Sequence, residues 1–388
     1  MMRRRLPLLA ILLGLALGCA PTAQPVQPSG ATGNAPAATA VPAGAAGGTA
    51  ARGTAAVSAS PSAAPPAVAA TAAPAAPTHV KVGATWTSFV QFPFLYAEEH
   101  GYFREAGIEM ERETISSSDQ MIGPLATNQL EVGASGFGAG LFNAVGRSIP
   151  FKIVADNGQS AGSSSGAFVV RKDLLDSGQI RDYADLRGRK IAFPGRGTGL
   201  EITLVRALEK GGATKDDAEM VDLRFPDLTP ALANGAIDGA LHIEPAVALG
   251  VEQGIFGVFK WFDEIYPDQQ FNAVMYSPDF AANRDAAQRF MVAYVRGARD
   301  YNDAIRKGRN LDEFAAIGAK YFPVKDTALY AKMRNMPINP DGRLNRQGMA
   351  DDLAWYRSQG LVQQPVDLDA LLDYSFVDAA LAQLGPYQ

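Results

Sequence analysis

The sequence predicts an α/β protein with two lobes joined by a two-passage hinge. Short apolar runs alternate with helical segments from residue 79 onward, an order typical of α/β domains with a largely parallel sheet. Two of these runs, near 167–171 and 271–276, are placed so that each can carry the chain from one lobe to the other. We therefore expect a bilobed molecule in which these two passages form the hinge.

The first 18 residues have the pattern of a bacterial signal peptide. Three arginines at positions 3–5 precede an apolar run that is too short to span a bilayer. Cys19, the only cysteine, follows small residues where this run ends, which resembles the bacterial lipobox. An ordinary secretory signal with an incidental cysteine is the alternative. We expect residues 1–18 to be removed and Cys19 to carry acyl chains such as palmitate, which anchor an extracytoplasmic protein to the cell membrane.

Residues 19–78 are predicted to form a lipidated, disordered tether. The 59 residues from Ala20 to Thr78 contain 24 alanines, 10 prolines, no aromatic residue and one charge, Arg52. Such a composition cannot bury a hydrophobic core, and the prolines interrupt every candidate helix. The folded part can therefore move over a patch of membrane while it stays attached.

The charge of the folded part argues against nucleic acid as a partner. Residues 79–388 hold 31 basic and 40 acidic residues, a net charge of −9 with histidines neutral. No excess of lysine and arginine is left to neutralise phosphates. A single cysteine excludes a disulfide framework, and three scattered histidines leave little for a metal site, so we expect no metal and no cofactor.

The first lobe is predicted to comprise residues 79–167 and 275–388. Its strands alternate with helices that glycines terminate, as at Gly101 and Gly107. The predicted elements are strand 80–84, helix 92–99, a helical turn at 102–107, strand 108–114, helix 120–127, strand 131–134, a helix to 145, strand 151–155, a long helix over 285–308, and mostly helical structure over 311–384.

The second lobe is predicted to comprise residues 168–274. Helix 200–210 is stopped by two glycines, and Pro245 begins a helix at a position where a missing N–H is tolerated. The other predicted elements are strands 167–171, 191–193, 218–223, 237–243 and 271–276, and helix 229–234. Between two such lobes, a ligand is expected at the carboxyl ends of the strands.

Several motifs within residues 80–280 resemble a known family. The segments are VKVGATWTSFVQFPFLYAEEHGYFREAGIEME, LEVGASGFG, FVVRKDLL, YADLRGRKIAFPGRGTG and GAIDGALHIEP. They resemble the thiamine-pyrimidine and sulfonate class of substrate-binding proteins, which serve bacterial ABC importers. The resemblance implies a periplasmic-binding-protein fold, a small-molecule ligand and an ABC permease as partner. Members of the class bind taurine, alkanesulfonates, nitrate, pyrimidine vitamin precursors or riboflavin.

An aromatic loop after the first strand supplies the first candidate ligand contacts. Trp86 stands where vitamin-binding members of the class place a tryptophan that stacks on a heterocycle, and Phe89 and Phe92 add aromatic surface nearby. The alternative is that Trp86 covers the core of the sheet.

Two glycine-rich loops supply further candidates. Ser135 could donate a hydrogen bond and Phe137 could stack in the loop that follows the strand at 131–134. Gly197 and Thr198 lie between a strand and a helix, where backbone amides favour an oxyanion. Each loop could instead be a plain tight turn.

Two polar residues at strand ends complete the set of candidates. Glu244 could accept hydrogen bonds from a ring N–H or from hydroxyl groups, or could simply stabilise a helix start. Asn157 follows a strand of the first lobe and could face the same cleft.

The choice of ligand rests on the aromatic loop. It offers aromatic rings but no lysine or arginine, which favours an uncharged heterocycle, with riboflavin first and a thiamine-precursor pyrimidine second. A small anion is the alternative, favoured by the loop that contains Arg196. An enzyme that makes the thiamine pyrimidine, as in a eukaryotic branch of the class, is a further alternative. Three separated histidines and the lack of other catalytic motifs argue against it, so we expect a monomeric binding protein and no catalysis.

Overall fold

A computed structural model of the chain describes residues 76–115 and 117–388. The strands of this part, in chain order, are β1 (Thr78–Ala84), β2 (Ile108–Thr114), β3 (Val132–Gly136), β4 (Lys152–Asp156), β5 (Gly166–Arg171), β6 (Lys190–Phe193), β7 (Glu219–Asp222), β8 (Gly239–Ile243), β9 (Phe256–Trp261) and β10 (Asn272–Tyr276). The signal peptide, Cys19 and most of the tether lie outside the described residues.

Helices cover both faces of the strands. In chain order they are α1 (Phe92–Glu99), α2 (Tyr102–Glu105), α3 (Ser118–Ala126), α4 (Ala139–Gly146), α5 (Lys172–Asp176), α6 (Gly199–Lys210), α7 (Phe225–Ala233), α8 (Ala246–Glu252), α9 (Phe262–Ile265), α10 (Pro278–Ala282), α11 (Arg284–Lys307), α12 (Leu311–Tyr321), α13 (Thr327–Tyr330), α14 (Arg346–Ser358), α15 (Leu368–Leu371) and α16 (Ser375–Leu384). Among the described residues, no helix combines the length and apolar character that a bilayer crossing requires.

The first sheet contains five strands in the order β2-β1-β3-β10-β4. β1 pairs in parallel with β2 and β3, so the carboxyl ends of these strands lie at one edge of the sheet. β10 runs antiparallel to β3 and β4. The sheet is therefore mixed rather than largely parallel, because β10 enters it only after the chain has returned from the second sheet.

The second sheet repeats this arrangement with the order β7-β6-β8-β5-β9. β6 pairs in parallel with β7 and β8, whereas β5 runs antiparallel to β8 and β9. Two mixed sheets of the same design confirm the prediction of two α/β lobes.

The chain crosses between the two sheets outside the strands, at residues 157–165 and 266–271. The prediction that the strands near 167–171 and 271–276 form the hinge is therefore wrong by several residues. β5 is an inner strand of the second sheet and β10 an inner strand of the first, where their apolar side chains are buried. Burial keeps these strands within their sheets, and the polar segments that precede them make the crossings.

The carboxyl-terminal region contacts elements of both lobes. α11 and α16 pack on the core of the first sheet, and α12 and α13 pack near α1. α14 contacts α4, which follows a strand of the first sheet, and α6, which follows a strand of the second. The lobe limits of 79–167 with 275–388, and of 168–274, stay a prediction.

Phe89 and Phe92 belong to a buried aromatic cluster. The ring of Phe92 stacks on Phe314 at 4.4 Å and on Tyr301 at 5.6 Å, and the ring of Phe89 stacks on Tyr330 at 5.8 Å between centroids. This placement corrects the expectation that the two phenylalanines face a ligand. Helices α11, α12 and α13 cover both rings. Burial in this cluster removes more of their apolar surface from water than a position in an exposed loop would.

We predict that Phe92→Ala lowers the free energy of unfolding by about 3–5 kcal/mol, since it leaves a cavity among rings that cannot all collapse into it. Guanidinium denaturation of the full-length protein measures this change. Leu311→Ala is the control, because Leu311 is 51 % exposed and its truncation should cost no more than about 0.5 kcal/mol. An unchanged denaturation midpoint for Phe92→Ala would contradict a structural role for this ring.

Candidate functional site

Two glycine-rich loops, one from each sheet, touch each other. We call residues 135–140, from the end of β3 to the start of α4, the first lip, and residues 194–199, from the end of β6 to the start of α6, the second lip. The backbone N–H of Ala139 donates to the carbonyl of Gly197 at 2.8 Å, and Gly138 and Thr198 form an antiparallel bridge. The lips therefore join the two sheets through backbone groups.

Glycine is required at two positions of this contact. A Cβ atom on Gly138 would lie 2.9 Å from the carbonyl oxygen of Gly197, closer than real Cβ contacts allow. Gly197 has a φ of +70°, a conformation that other residues rarely adopt. The glycine pattern of both lips thus follows from close backbone approach as well as from turning.

The first lip is hydrogen-bonded to the start of helix α3. The hydroxyl of Ser135 donates to the hydroxyl of Ser118, the first residue of α3, at 2.7 Å, and Ser135 is half-buried. Phe137 is buried and stacks on Phe142 with 6.1 Å between centroids. Phe137 therefore fills the core under the first lip, which corrects the expectation that its ring lies open to a ligand.

The second lip is held by local hydrogen bonds. The hydroxyl of Thr198 donates to the carbonyls of Gly195 at 2.7 Å and Pro194 at 3.2 Å. The N–H of Gly197 donates to the carboxylate of Glu201, in the first turn of α6, at 2.6 Å. The loop is therefore held by its own hydrogen bonds, and its side-chain hydroxyl is engaged within it.

Trp86 lies half-buried beside strand β2. Its indole N–H donates to the carbonyl of Glu113 at 3.0 Å, and its ring meets Phe94 edge-on with 6.0 Å between centroids. The guanidinium of Arg112 lies 5.8 Å from the ring centroid. The polar atom of Trp86 is thus occupied by the protein, and the remaining ring surface is what it could offer to a ligand.

Asp156, at the end of β4, is a fully buried carboxylate with four hydrogen-bond donors. It accepts from Gln270 Nε2 at 2.6 Å, the N–H of Asn339 at 2.6 Å, the N–H of Gly158 at 2.9 Å and Gln159 Nε2 at 3.0 Å. Burial raises the pKa of Asp156, and the four donors oppose that rise. The carboxylate therefore joins both crossings and the segment after α13.

Asn157 begins the first crossing and is also fully buried. Its side-chain oxygen accepts from the hydroxyl of Tyr294 at 2.9 Å, and its Nδ2 donates to Gln91 Oε1 at 3.4 Å. These bonds place Asn157 in the support of the crossing, so a ligand contact would need one of them to break.

Glu244 follows β8 and is 1 % exposed. Its carboxylate accepts from the N–H of Ala248 in α8 at 2.9 Å and from the N–H of Arg334 at 3.3 Å. Burial raises the pKa of Glu244 to about 7, and the two amides oppose that rise. In this structure the side chain stabilises the start of α8 and the segment after α13.

The buried amides of the second crossing, Gln269 and Gln270, were not predicted from the sequence. Gln270 also donates to the carbonyl of Asn272 at 2.8 Å and accepts from the N–H of Asn345 at 2.6 Å. The only signal was a polar run directly before an apolar strand, which is also typical of exposed turns. Within the described residues, no group of three or more His, Cys, Asp or Glu side chains is placed to hold a metal ion.

We predict that the stability of the wild-type protein falls relative to that of Glu244→Gln as the pH rises from 5 to 7. The pKa of Glu244 is raised on folding, so its contribution is complete below the unfolded value near 4.5 and is lost as the pH rises through about 7. One pKa unit corresponds to about 1.4 kcal/mol, and we expect a relative change of about 1–3 kcal/mol.

Urea denaturation at a series of pH values measures this difference. Glu252→Gln is the matched control, because Glu252 lies on the same helix, α8, but is exposed and paired with Lys332. If the free energies of unfolding of the wild type and Glu244→Gln changed in parallel with pH, the raised pKa of Glu244 would be contradicted.

Comparison with known proteins places this geometry in a family. Residues 88–304 match the family model described as "NMT1/THI5 like". The Brucella abortus (strain 2308) protein named "Putative binding protein BAB2_1146" is 25 % identical over 285 residues, which cover 70 % of this chain and 82 % of the relative.

Two solved structures show the same fold. The nitrate-binding protein NrtA from Synechocystis PCC 6803 aligns with a TM-score of 0.65 at 14 % identity, covering 80 % of this chain and 89 % of its own. The alkanesulfonate-binding protein SsuA from Xanthomonas axonopodis pv. citri, bound to MOPS, aligns with a TM-score of 0.60 at 16 % identity, covering 77 % and 99 %. The bilobed fold of periplasmic binding proteins is thereby confirmed, and since the family model spans more than half of the sequence, the chain belongs to the NMT1/THI5 like family.

Proposed function

We propose that this protein is the extracytoplasmic solute-binding component of an ABC importer and that its lips enclose a small oxyanion such as a sulfonate, taurine or nitrate. The observation that carries the proposal is the contact between Ala139 and Gly197, because loops from two sheets that meet through backbone groups can enclose a solute behind them. The fold likeness to an alkanesulfonate-binding and a nitrate-binding protein supports the same class of ligand.

Helix starts favour an anion at this place. α4 begins at the first lip, α6 begins at the second lip, and α3 begins at Ser118 beside Ser135. The first amides of a helix lack partners within that helix, and the helix dipole adds a partial positive charge there. Glu201 already takes the N–H of Gly197, so an anion would use the remaining amides.

Riboflavin, which the sequence favours, has less support in the structure. Phe89, Phe92 and Phe137 are buried against other rings and could not stack on a flat heterocycle without leaving the core. Trp86, the fourth aromatic candidate, is half-exposed. We therefore keep riboflavin and the pyrimidine as alternatives that the binding test must include.

The positions of the histidines favour a binding protein over an enzyme. His79 pairs with Glu111 at 2.9 Å on the first sheet, and His100 lies between carboxylates of α11 and α12. His242 is 2 % exposed inside the second sheet, and burial lowers its pKa to about 4. Each is engaged away from the lips, so none is placed to act on a solute held there.

We predict that methanesulfonate, taurine or nitrate raises the melting temperature of the full-length protein, whereas riboflavin does not. A ligand at one hundred times its Kd stabilises the folded state by about 2.7 kcal/mol. Thermal denaturation in detergent, followed by calorimetry of each hit, measures the effect. Binding of riboflavin or the pyrimidine, with no response to any oxyanion, would contradict the anion proposal.

Gly138→Ala tests whether the lips must touch for binding. Its Cβ would push against the carbonyl of Gly197, and a strain of about 1–3 kcal/mol corresponds to a loss of affinity of roughly 5- to 150-fold. Gly123→Ala is the matched control, because a Cβ on this exposed helical glycine meets nothing within 4 Å. Equal affinities for the two variants would show that ligand binding does not depend on contact between the lips.

We also propose that Cys19 carries the membrane anchor and that residues 20–78 form the tether. Cys19 and residues 20–75 lie outside the described residues, and the proposal rests on the sequence pattern. We predict that Cys19→Ala moves the protein from the membrane fraction to the soluble fraction, whereas Gly18→Ala, which keeps a small residue before the cysteine, leaves it bound. Retention of Cys19→Ala in washed membranes would contradict the anchor.

A further inference from the structure

A buried glutamine fixes the helix that carries the second lip. Gln269, in the second crossing, is fully buried. Its Oε1 accepts from the hydroxyl of Thr203 at 3.0 Å, and its Nε2 donates to the carbonyl of Gly199 at 3.3 Å. Thr203 also donates to the carbonyl of Gly199 at 3.0 Å. The first turn of α6 is therefore fastened to the crossing directly behind the second lip.

A buried carboxyl group fastens the same glutamine to helix α14. Asp352 is 1 % exposed, and its two oxygens accept from Gln269 Nε2 at 3.1 Å and 3.3 Å. The chain of contacts thus runs from Asp352 through Gln269 to Gly199, the first residue of α6.

α14 also packs against the helix that follows the first lip. Tyr356, one turn after Asp352, lies 5.9 Å from Phe142 of α4 between ring centroids. Phe142 in turn stacks on Phe137 of the first lip. Helix α14 therefore contacts the residues behind both lips. It supports the first lip by aromatic packing and the second lip by hydrogen bonds.

From these contacts we infer that Asp352 is a positioning residue: through Gln269 it sets the second lip against the first, and so couples closure over a ligand to the state of α14. The inference rests on the proposed function only for the statement that the closed lips hold a ligand. The coupling between α14 and the second lip concerns the protein alone. This coupling gives helix α14 a role in the binding site that no residue of the lips reveals.

The coupling has a pH dependence with a defined sign. Burial raises the pKa of Asp352 to about 7, and Gln269 opposes that rise. The other groups that face it are Tyr266 after α9, Arg206 of α6 and Asp351 of α14. An opened state that hydrates the carboxyl restores a pKa near 3.8, so opening becomes easier as the pH rises from about 4 to about 7 and changes little above that.

Hydrogen exchange of the full-length protein without ligand tests this inference. After correction for intrinsic exchange rates, we expect protection in peptides covering the two lips to fall at least tenfold between pH 5 and pH 7 in the wild type. In Asp352→Asn, which stays neutral and can still accept from Gln269, protection should change less than twofold. Asp351→Asn removes a repulsion that acts on Asp352 from the exposed side of α14 but leaves Asp352 titratable, so it should keep the wild-type fall in protection between pH 5 and pH 7.

Thr203→Val provides a second test that leaves α14 intact. It removes the hydroxyl that joins Gln269 to α6, so the second lip should lose protection at both pH values while peptides of α14 and α11 keep theirs. The inference is overturned if Asp352→Asn follows the wild-type pH profile, or if loss of protection in any variant extends equally to α11. Because no ligand is present, these outcomes are independent of whether a sulfonate or nitrate binds.

Discussion

The carboxylate of Asp156 is the interaction on which the arrangement of the two sheets depends. A buried carboxylate is costly unless donors surround it, and the four donors come from both crossings and from the segment after α13. Removing any one of these segments would leave a buried charge underpaired. The crossings are therefore held together at one point, and the lips, which are hydrogen-bonded to the second crossing, can meet in register.

The position of the lips follows from this constraint. β3 leads into the first lip and β6 into the second, and the two lips meet through the bond from Ala139 to Gly197. A side chain at position 138 would hold the loops apart, and glycine at position 197 adopts the positive φ that this contact requires. A polar contact between backbones is suited to opening and closing, because it buries little apolar surface and costs little to break.

The sequence could predict what is local and could not predict what is formed by distant residues. The alternation of strands and helices and the two glycine-rich loops are local patterns, and the structure has them. Phe89 and Phe92 were misplaced, because the rings that cover them come from the carboxyl-terminal third of the chain. Strand β9 was missed, since it is an edge strand with partly buried residues and no clear alternation. The hinge was displaced, because the buried pairing of Asp156 with Gln270 has no signature in either segment.

The negative charge of the folded part adds a condition on any anionic ligand. A net charge of −9 over residues 79–388 repels an anion at long range, although salt at physiological strength screens this field beyond about 8 Å. Helix starts act only within their first turn, so they favour an anion strongly only where water is excluded. Affinity for an oxyanion must therefore come from the closed state of the lips rather than from attraction to the open surface. Under the proposed function, the protein selects its solute by how well the solute lets the two lips meet.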